Sequence, residues 1–214
     1  VRKFSAAEFD SRTEFFDEMA QTSWLSAIHE EVIAFGGDLT QTNIVDIGCG
    51  TGRLLMRAKS LASSLTGIDL SEKMIEKATS LFGEHATFLV GDATDLPLDD
   101  SVADVSYTTC LLFLLPHPEE SITEQRRILR SGGLLVTLNP SPQLTTEQAD
   151  VYANKHHLSE GEADFLRQWA RVAERRHQFT PKSLQELLEK HGFSDVETRF
   201  SSNGLGMMTK AILA

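Results

Sequence analysis

Asn43-Ile-Val-Asp-Ile-Gly-Cys-Gly-Thr-Gly-Arg53 is the stretch whose reading decides the fold. A short apolar run ends in an acid, and glycines follow at alternate positions, Gly48, Gly50 and Gly52. Leu54-Leu-Met56 then opens a helical pattern, so the stretch reads as strand, tight turn, helix. Glycines at such a turn allow positive φ and let a ligand approach the backbone. The start of the following helix points free N–H groups at the same place.

Outward from this turn, strands and helices alternate as far as Asn139. The pattern predicts a strand at Ile44–Ile47, a helix from about 51 to 62 and a second strand at Ser64–Asp69. Ser71 is a helix cap, with its helix running to about Leu81. A third strand is expected at Ala86–Val90, a loop at Gly91–Pro97 and a fourth strand at Val102–Thr108. A helix after Pro116 and Pro118 runs to about Leu129, and Ser131-Gly-Gly133 turns into a fifth strand, Leu134–Leu138. Strands separated by helices of this length imply parallel pairing with right-handed crossovers. The C-terminal part adds a helix capped by Thr180 with Pro181 at its first position. Strands at Val196–Phe200 and Gly206–Leu213 close a hairpin around Ser202-Asn-Gly204.

Two regions stand outside the alternation. Residues 1–40 form a helical cap whose Phe4, Phe9, Phe15, Phe16, Met19, Trp24, Leu25, Ile28, Val32 and Phe35 recur at roughly helical spacing, as two helices stopped by Gly36-Gly37. These side chains either pack on the main body or line a substrate pocket. Residues 140–179 insert two helical segments, about Thr145–Lys155 and Ser159–His177, after the fifth strand: a lid or a surface elaboration. No linker divides the chain, so residues 1–214 read as one domain.

Composition narrows the function. The formal net charge of −11 disfavours a nucleic-acid substrate, because phosphate contacts need a basic surface. No apolar run approaches the roughly 20 residues of a membrane span. The first residues, Val1-Arg-Lys-Phe-Ser, lack the apolar stretch of a signal peptide. Two cysteines, Cys49 and Cys110, make no disulfide framework, and a reducing, cytoplasmic setting is expected. The histidines show no metal-ligand spacing, so no metal is expected.

In open α/β sheets, ligands bind beyond the carboxyl ends of the strands. The first strand ends in the glycine turn, the second in Asp69, the third at Asp92 and the fourth at Thr108-Thr109. A carboxylate at Asp69 can accept from vicinal ribose hydroxyls, and one at Asp92 from an exocyclic amine such as that of adenine. The third glycine comes one residue earlier than in the G-x-G-x-x-G turn of dinucleotide sites, which disfavours a nicotinamide-dependent oxidoreductase. Asp46, Asp69 and Asp92 are a poor match for a pyrophosphate and a better one for a ligand with cationic groups.

The chain resembles the class I S-adenosylmethionine-dependent methyltransferases, in the broad group of ubiquinone/menaquinone-type and other small-molecule enzymes. Val45–Gly52 carries the family's first motif, Gly67–Met74 the next segment, Gly91–Pro97 and Asp104–Thr109 the following two, and Arg127–Gly133 the turn before the fifth strand. Phe179–Leu184 and His191–Phe193 resemble its final helix. The resemblance implies an α/β, Rossmann-like, doubly wound seven-stranded sheet, mostly parallel, with a C-terminal antiparallel hairpin. It implies S-adenosyl-L-methionine as the cofactor and S-adenosyl-L-homocysteine as its product. Carried onto this sequence, it gives Asp46 and the backbone at Gly48 and Gly50 the methionine amino group, and Asp69 the ribose. Leu70 and Met74 would pack on the adenosine, Asp92 and the Ala93 N–H would meet the adenine, and Thr109 or Thr108 would offer a carbonyl. Where many relatives have a His pair after the fourth strand, this chain has Phe113-Leu114.

The acceptor is not legible in these motifs. A small molecule is expected, methylated by in-line displacement; a non-catalytic S-adenosylmethionine- or nucleoside-binding regulatory domain is the alternative. Candidates for a general base are His117, His156, His157 and His177, with the His156-His157 pair in the insertion favoured. Arg167, Arg171 and Arg175 recur four apart on one helical face. Either they form a solvated face paired with acids such as Glu160 and Asp164, or they attract an acidic acceptor.

Overall fold

A computed structural model describes residues 2–214. Seven strands form one sheet in the order β3-β2-β1-β4-β5-β7-β6. The strands are β1 (Asn43–Ile47), β2 (Ser64–Asp69), β3 (Thr87–Val90), β4 (Ala103–Thr109), β5 (Leu129–Pro140), β6 (Phe193–Phe200) and β7 (Gly206–Leu213). Neighbours from β3 to β5 pair in parallel, while β7 runs antiparallel to both β5 and β6. The order reverses between β1 and β4, and the glycine turn leaves the sheet there. This is the doubly wound, seven-stranded sheet expected from the sequence.

Helices cover both faces. They are α1 (Ala6–Asp10), α2 (Thr13–Ala20), α3 (Ser23–Phe35), α4 (Glu72–Phe82), α5 (Pro118–Ile128), α6 (Thr146–Lys155), α7 (Glu160–Ala173) and α8 (Pro181–Lys190). Neighbouring strand residues point to opposite faces. Ser106 bonds to Gln125 of α5. The Tyr107 hydroxyl lies so close to Gly36, at the end of α3, that a Cβ there would sit 2.1 Å from it. So α3 and α5 lie on opposite faces. Trp24, Leu25, Ile28, Val32 and Phe35 of α3 are all buried, each worth about 1.5–3 kcal/mol against exposure.

The structure differs from the sequence reading in four places. The cap holds three helices, not two, because the expected first helix breaks at Ser11-Arg12, where the Ser11 and Thr13 hydroxyls donate to the carbonyls of Glu8 and Asp10. The helix expected from 51 to 62 is one 3-10 turn, Leu55–Ala58. There the Arg57 side chain donates to the Arg53 carbonyl, the acceptor an α-helix would give to the Arg57 N–H, which bonds to the Leu54 carbonyl instead. Buried Leu54, Leu55 and Ala58 fit either geometry, so periodicity could not separate them. Ser131-Gly132-Gly133 is a bulge inside β5, with Gly132 at φ 77°, rather than a turn before it. Finally, β6 begins at Phe193, ahead of a register shift between Ser194 and Glu197.

The cap and the insertion hold each other over the sheet. Trp24 stacks on Trp169 of α7 with ring centres 5.3 Å apart, and Phe15 meets Phe165 at 5.0 Å. Glu162, in the first turn of α7, accepts from the Ser23 N–H at 2.7 Å and, through its carbonyl, from the Trp24 indole at 3.3 Å. Among the described residues, no helix is long and apolar enough to cross a membrane.

Candidate active site

All three glycines of the turn have positive φ: 75° at Gly48, 52° at Gly50 and 79° at Gly52. Their surroundings differ. A Cβ on Gly48 would meet Leu111 at 2.9 Å, and one on Gly52 would meet the Phe88 ring at 2.8 Å, whereas Gly50 faces open space. Gly48 and Gly52 therefore serve packing, and Gly50 leaves room for a ligand. The amides of Gly48 and Gly50 already donate, to the Ile68 carbonyl at 2.8 Å and to Asp69 Oδ2 at 2.9 Å. What these residues can add for a ligand is carbonyl oxygen, the sign an ammonium group needs.

That open space belongs to a cavity of about 440 Å³. Gly48, Gly50, Asp69, Leu70, Met74, Asp92, Ala93 and Thr109 all line it. Asp69 is oriented by backbone: Oδ1 accepts from the Ser71 N–H and Oδ2 from the Gly50 N–H, each at 2.9 Å. Burial raises the Asp69 carboxyl, the two amides oppose this, and Asp10 adds to the rise. Asp92 Oδ1 accepts from the Thr94 N–H and hydroxyl, while Oδ2 pairs with Lys3 from the chain start. Burial works to raise Asp92, but Lys3 and Thr94 outweigh it and hold the group below the usual carboxylate range.

Asp46 is placed differently from the expectation. It is wholly buried behind the turn, outside the cavity lining, and neither carboxylate oxygen has a hydrogen-bond partner. Burial, then the charge of Asp69, pushes its pKa up to about 8. Its register neighbours are Gly67 and Tyr107, whose own hydroxyl is also unpartnered. An orphaned acid beneath a ring of carbonyls and carboxylates is compatible with a cationic ligand, which it could reach only through the turn and not by direct contact.

The histidine expectations do not match the geometry. His117 precedes α5 beside Glu119 and is exposed. His156 ends α6, stacked on Tyr152, and His157 follows it exposed at φ 52°. Neither these three nor His177 line the cavity. The turn between α6 and α7 faces away, and the insertion reaches the cavity only through Gln168, Trp169, Arg171 and Val172 of α7. Of the spaced arginines, Arg167 pairs with Asp150 and Asp164, while Arg171 lies on the cavity.

Two acids were missed. Asp17 of α2 is buried and accepts from the Thr51 hydroxyl at 2.6 Å and the Arg53 guanidinium at 2.9 and 3.0 Å, with Lys77 at 3.2 Å. Although burial raises it, these partners bring its pKa down to about 2. Asp10 accepts from the Ser71 hydroxyl at 2.6 Å. Together they tie the cap to the glycine turn and to the start of α4. No sequence spacing signalled them, because Asp10 ends α1 and Asp17 lies on α2, and only the packing of both helices against the turn brings the two acids to it. His29 was missed as well; it lies on α3, buried, and lines the cavity.

The fold, the glycine turn and the strand-end acids together define a nucleoside-binding site of the class I methyltransferase type. A family model described as a methyltransferase domain matches residues 45–137. A 37.1 kDa protein of transposon TN4556 from Streptomyces fradiae is 30% identical over 164 residues. That match covers 72% of this chain and 46% of the relative, so the chain spans about half of its length. Demethylmenaquinone methyltransferase of Staphylococcus aureus is 28% identical over 184 residues, covering 78% of this chain and 74% of that one. Among solved structures, the [4+2]-cyclase SpnF shares the fold with a TM-score of 0.73 at 17% identity, over 99% of this chain and 97% of that chain. Residues 45–137 thus match a methyltransferase domain, and the chain is similar to S-adenosylmethionine-dependent methyltransferases of class I.

Proposed function

We propose that the protein moves a methyl group from S-adenosylmethionine to a small, largely apolar acceptor that carries an anionic group. The observation that supports this most is the cavity, which continues from Asp69 and Asp92 into a chamber walled by Phe15, Phe16, Phe113, Leu114 and Trp169. Its volume of about 440 Å³ suits a small molecule, not a protein side. Arg12 and Arg171 line its exposed mouth, and among the described residues neither has an acidic partner. In a chain of net charge −11, two cations left unpaired at one opening favour an acidic acceptor. Two unpaired cysteines support a reducing compartment such as the cytoplasm.

S-adenosylmethionine brings its methyl on a sulfonium, already an activated leaving group. In this reading Asp69 holds the ribose and Leu70 and Met74 flank the base. Asp92 meets the adenine amine once Lys3 gives way, and the carbonyls at Gly48 and Gly50, with Asp46 behind, hold the ammonium. The cap and α7 fix the acceptor and exclude water. Holding nucleophile and methyl in line can contribute roughly 7 kcal/mol or more.

Release of S-adenosylhomocysteine across a panel of small aromatic acids tests this. Turnover is expected with acids and not with their neutral esters, falling about tenfold in Arg12→Ala/Arg171→Ala and with added salt. Tight cofactor binding with no release for any acceptor would sink the catalytic reading in favour of a regulatory one.

A further inference from the structure

We propose that His29 is the group that hydrogen-bonds the acceptor and takes its proton, and that the acceptor offers it a hydroxyl. This rests on the methyl-transfer reading above and names the reacting group.

His29 sits in the middle of α3, buried, and lines the cavity. Its Nδ1 is sealed without a partner, whereas Nε2 is not sealed and is left to the cavity. The lining from the neighbouring elements is apolar: Met19 and Ala20 of α2, Leu25 of α3, Leu54 and Trp169. The polar groups at this end are otherwise engaged or fixed. Thr51 and Arg53 serve Asp17. The Cys110 thiol is pushed up to about 12 by burial and by Asp46, so it stays protonated. The Trp169 indole N–H is sealed and can only donate. Nε2 is therefore the ring nitrogen that a ligand's hydroxyl can reach, with Nδ1 carrying the ring proton in the neutral form that offers its lone pair there.

The charged groups beside the ring set its state. Arg57 lies across from it on the 3-10 turn, held by Glu30 at 2.7 Å and by Ser26. Burial, then Arg57, lowers the His29 pKa to about 3, so the ring is neutral and its lone pair free at ordinary pH. Such a weak base is matched to a hydroxyl rather than an amine. A hydroxyl oxygen becomes strongly acidic as it gains a methyl, whereas a methylated amine holds its proton. The step balances. The O–CH3 bond forms as the CH3–S bond breaks, and that electron pair stays on sulfur as a neutral thioether. The hydroxyl proton passes to Nε2, the positive charge moves from sulfur to imidazolium, and water at the mouth takes the proton away.

The test uses protein saturated with S-adenosylhomocysteine and two probes differing by one hydroxyl, 6-hydroxy-2-naphthoate and 2-naphthoate, titrated by calorimetry. Wild type is expected to prefer the hydroxylated probe at least tenfold. His29→Phe should lose that preference with S-adenosylhomocysteine affinity within twofold of the parent, and His29→Gln should keep part of it. With S-adenosylmethionine, wild type should form 6-methoxy-2-naphthoate, slowed at least 100-fold in both variants, because Gln hydrogen-bonds without accepting a proton. An unchanged preference in His29→Phe, methyl ester in place of ether, or no ether despite a clear preference would each overturn the proposal. So would a tenfold loss of S-adenosylhomocysteine affinity in His29→Phe, which would assign the imidazole to the cofactor. Binding of neither probe would overturn the acidic-acceptor reading, and this proposal with it.

Discussion

Replacing Asp46 by asparagine should stabilise the protein, and by an amount that grows with pH. The carboxyl is wholly buried with no partner and a pKa pushed up to about 8, against 3.8 for an ordinary aspartate. Between these values the native state keeps a proton that the unfolded chain has lost, so wild-type stability falls as pH rises through this window. At pH 7 the unfolded state gains from ionisation roughly 1.4 kcal/mol for each unit above its pKa, about 4 kcal/mol in all, and at pH 5 about 2 kcal/mol. Asparagine does not ionise. It brings its own cost for a buried amide, roughly 1–3 kcal/mol, but that cost is independent of pH and cancels from the difference. Urea titrations of both proteins at pH 5 and pH 7 isolate the effect: the variant's advantage should widen by roughly 2–3 kcal/mol between them. A gap of the same size at both pH values would mean that Asp46 is already ionised at pH 5, and the account of an orphaned neutral acid would be wrong. The same proton links to the ligand. A cationic cofactor favours the ionised form, so affinity for S-adenosylmethionine should rise with pH towards 8 in wild type and stay flat in Asp46→Asn.

Other outcomes follow from the same geometry. Asp69→Ala should weaken S-adenosylmethionine binding about 10–100-fold by calorimetry, the scale of hydrogen bonds to a charged group. Asp17→Ala removes the partner of Thr51 and Arg53; thermal unfolding should show roughly 3 kcal/mol of lost stability, because a buried charge cluster is broken. Gly50→Ala and Gly52→Ala should separate binding from folding. The first places its Cβ in open space at a strained φ, costing about 1–2 kcal/mol of stability but most of the cofactor affinity. The second also drives its Cβ into Phe88 and should unfold at markedly lower urea. Lys3→Ala frees Asp92 from its ion pair and should raise affinity for an adenine nucleoside in a titration, while leaving the melting temperature nearly unchanged.

The strands, the parallel core and the closing hairpin were legible because their signals are local. Apolar runs such as Ile44–Ile47 end in turn residues, Ser71 and Thr180 cap helices three residues ahead, and Pro181 fits a first helical turn. The turn glycines announce themselves because positive φ excludes most side chains, and Asp69 and Asp92 because a strand's end has a fixed place in an open sheet. Tertiary structure decided the rest. Arg57 took a carbonyl that the backbone of a helix would have used, and no periodicity reports that. Asp46 reads as one more acid of the glycine motif, but only packing seals it behind the turn without a partner. His117, His156 and His157 are as noticeable in the sequence as His29. Which histidine faces the cavity depends on which face of α3 the sheet covers and which way the α6–α7 turn points. Sequence by itself singled out the strand-end residues Asp69 and Asp92 and the glycine turn, because those groups lie in consecutive strand ends, and the fold brings them to one cavity. The rest of the cavity wall was set by long-range packing of the cap, α7 and the sheet, which brings together Arg12, His29 and Arg171 from distant parts of the chain.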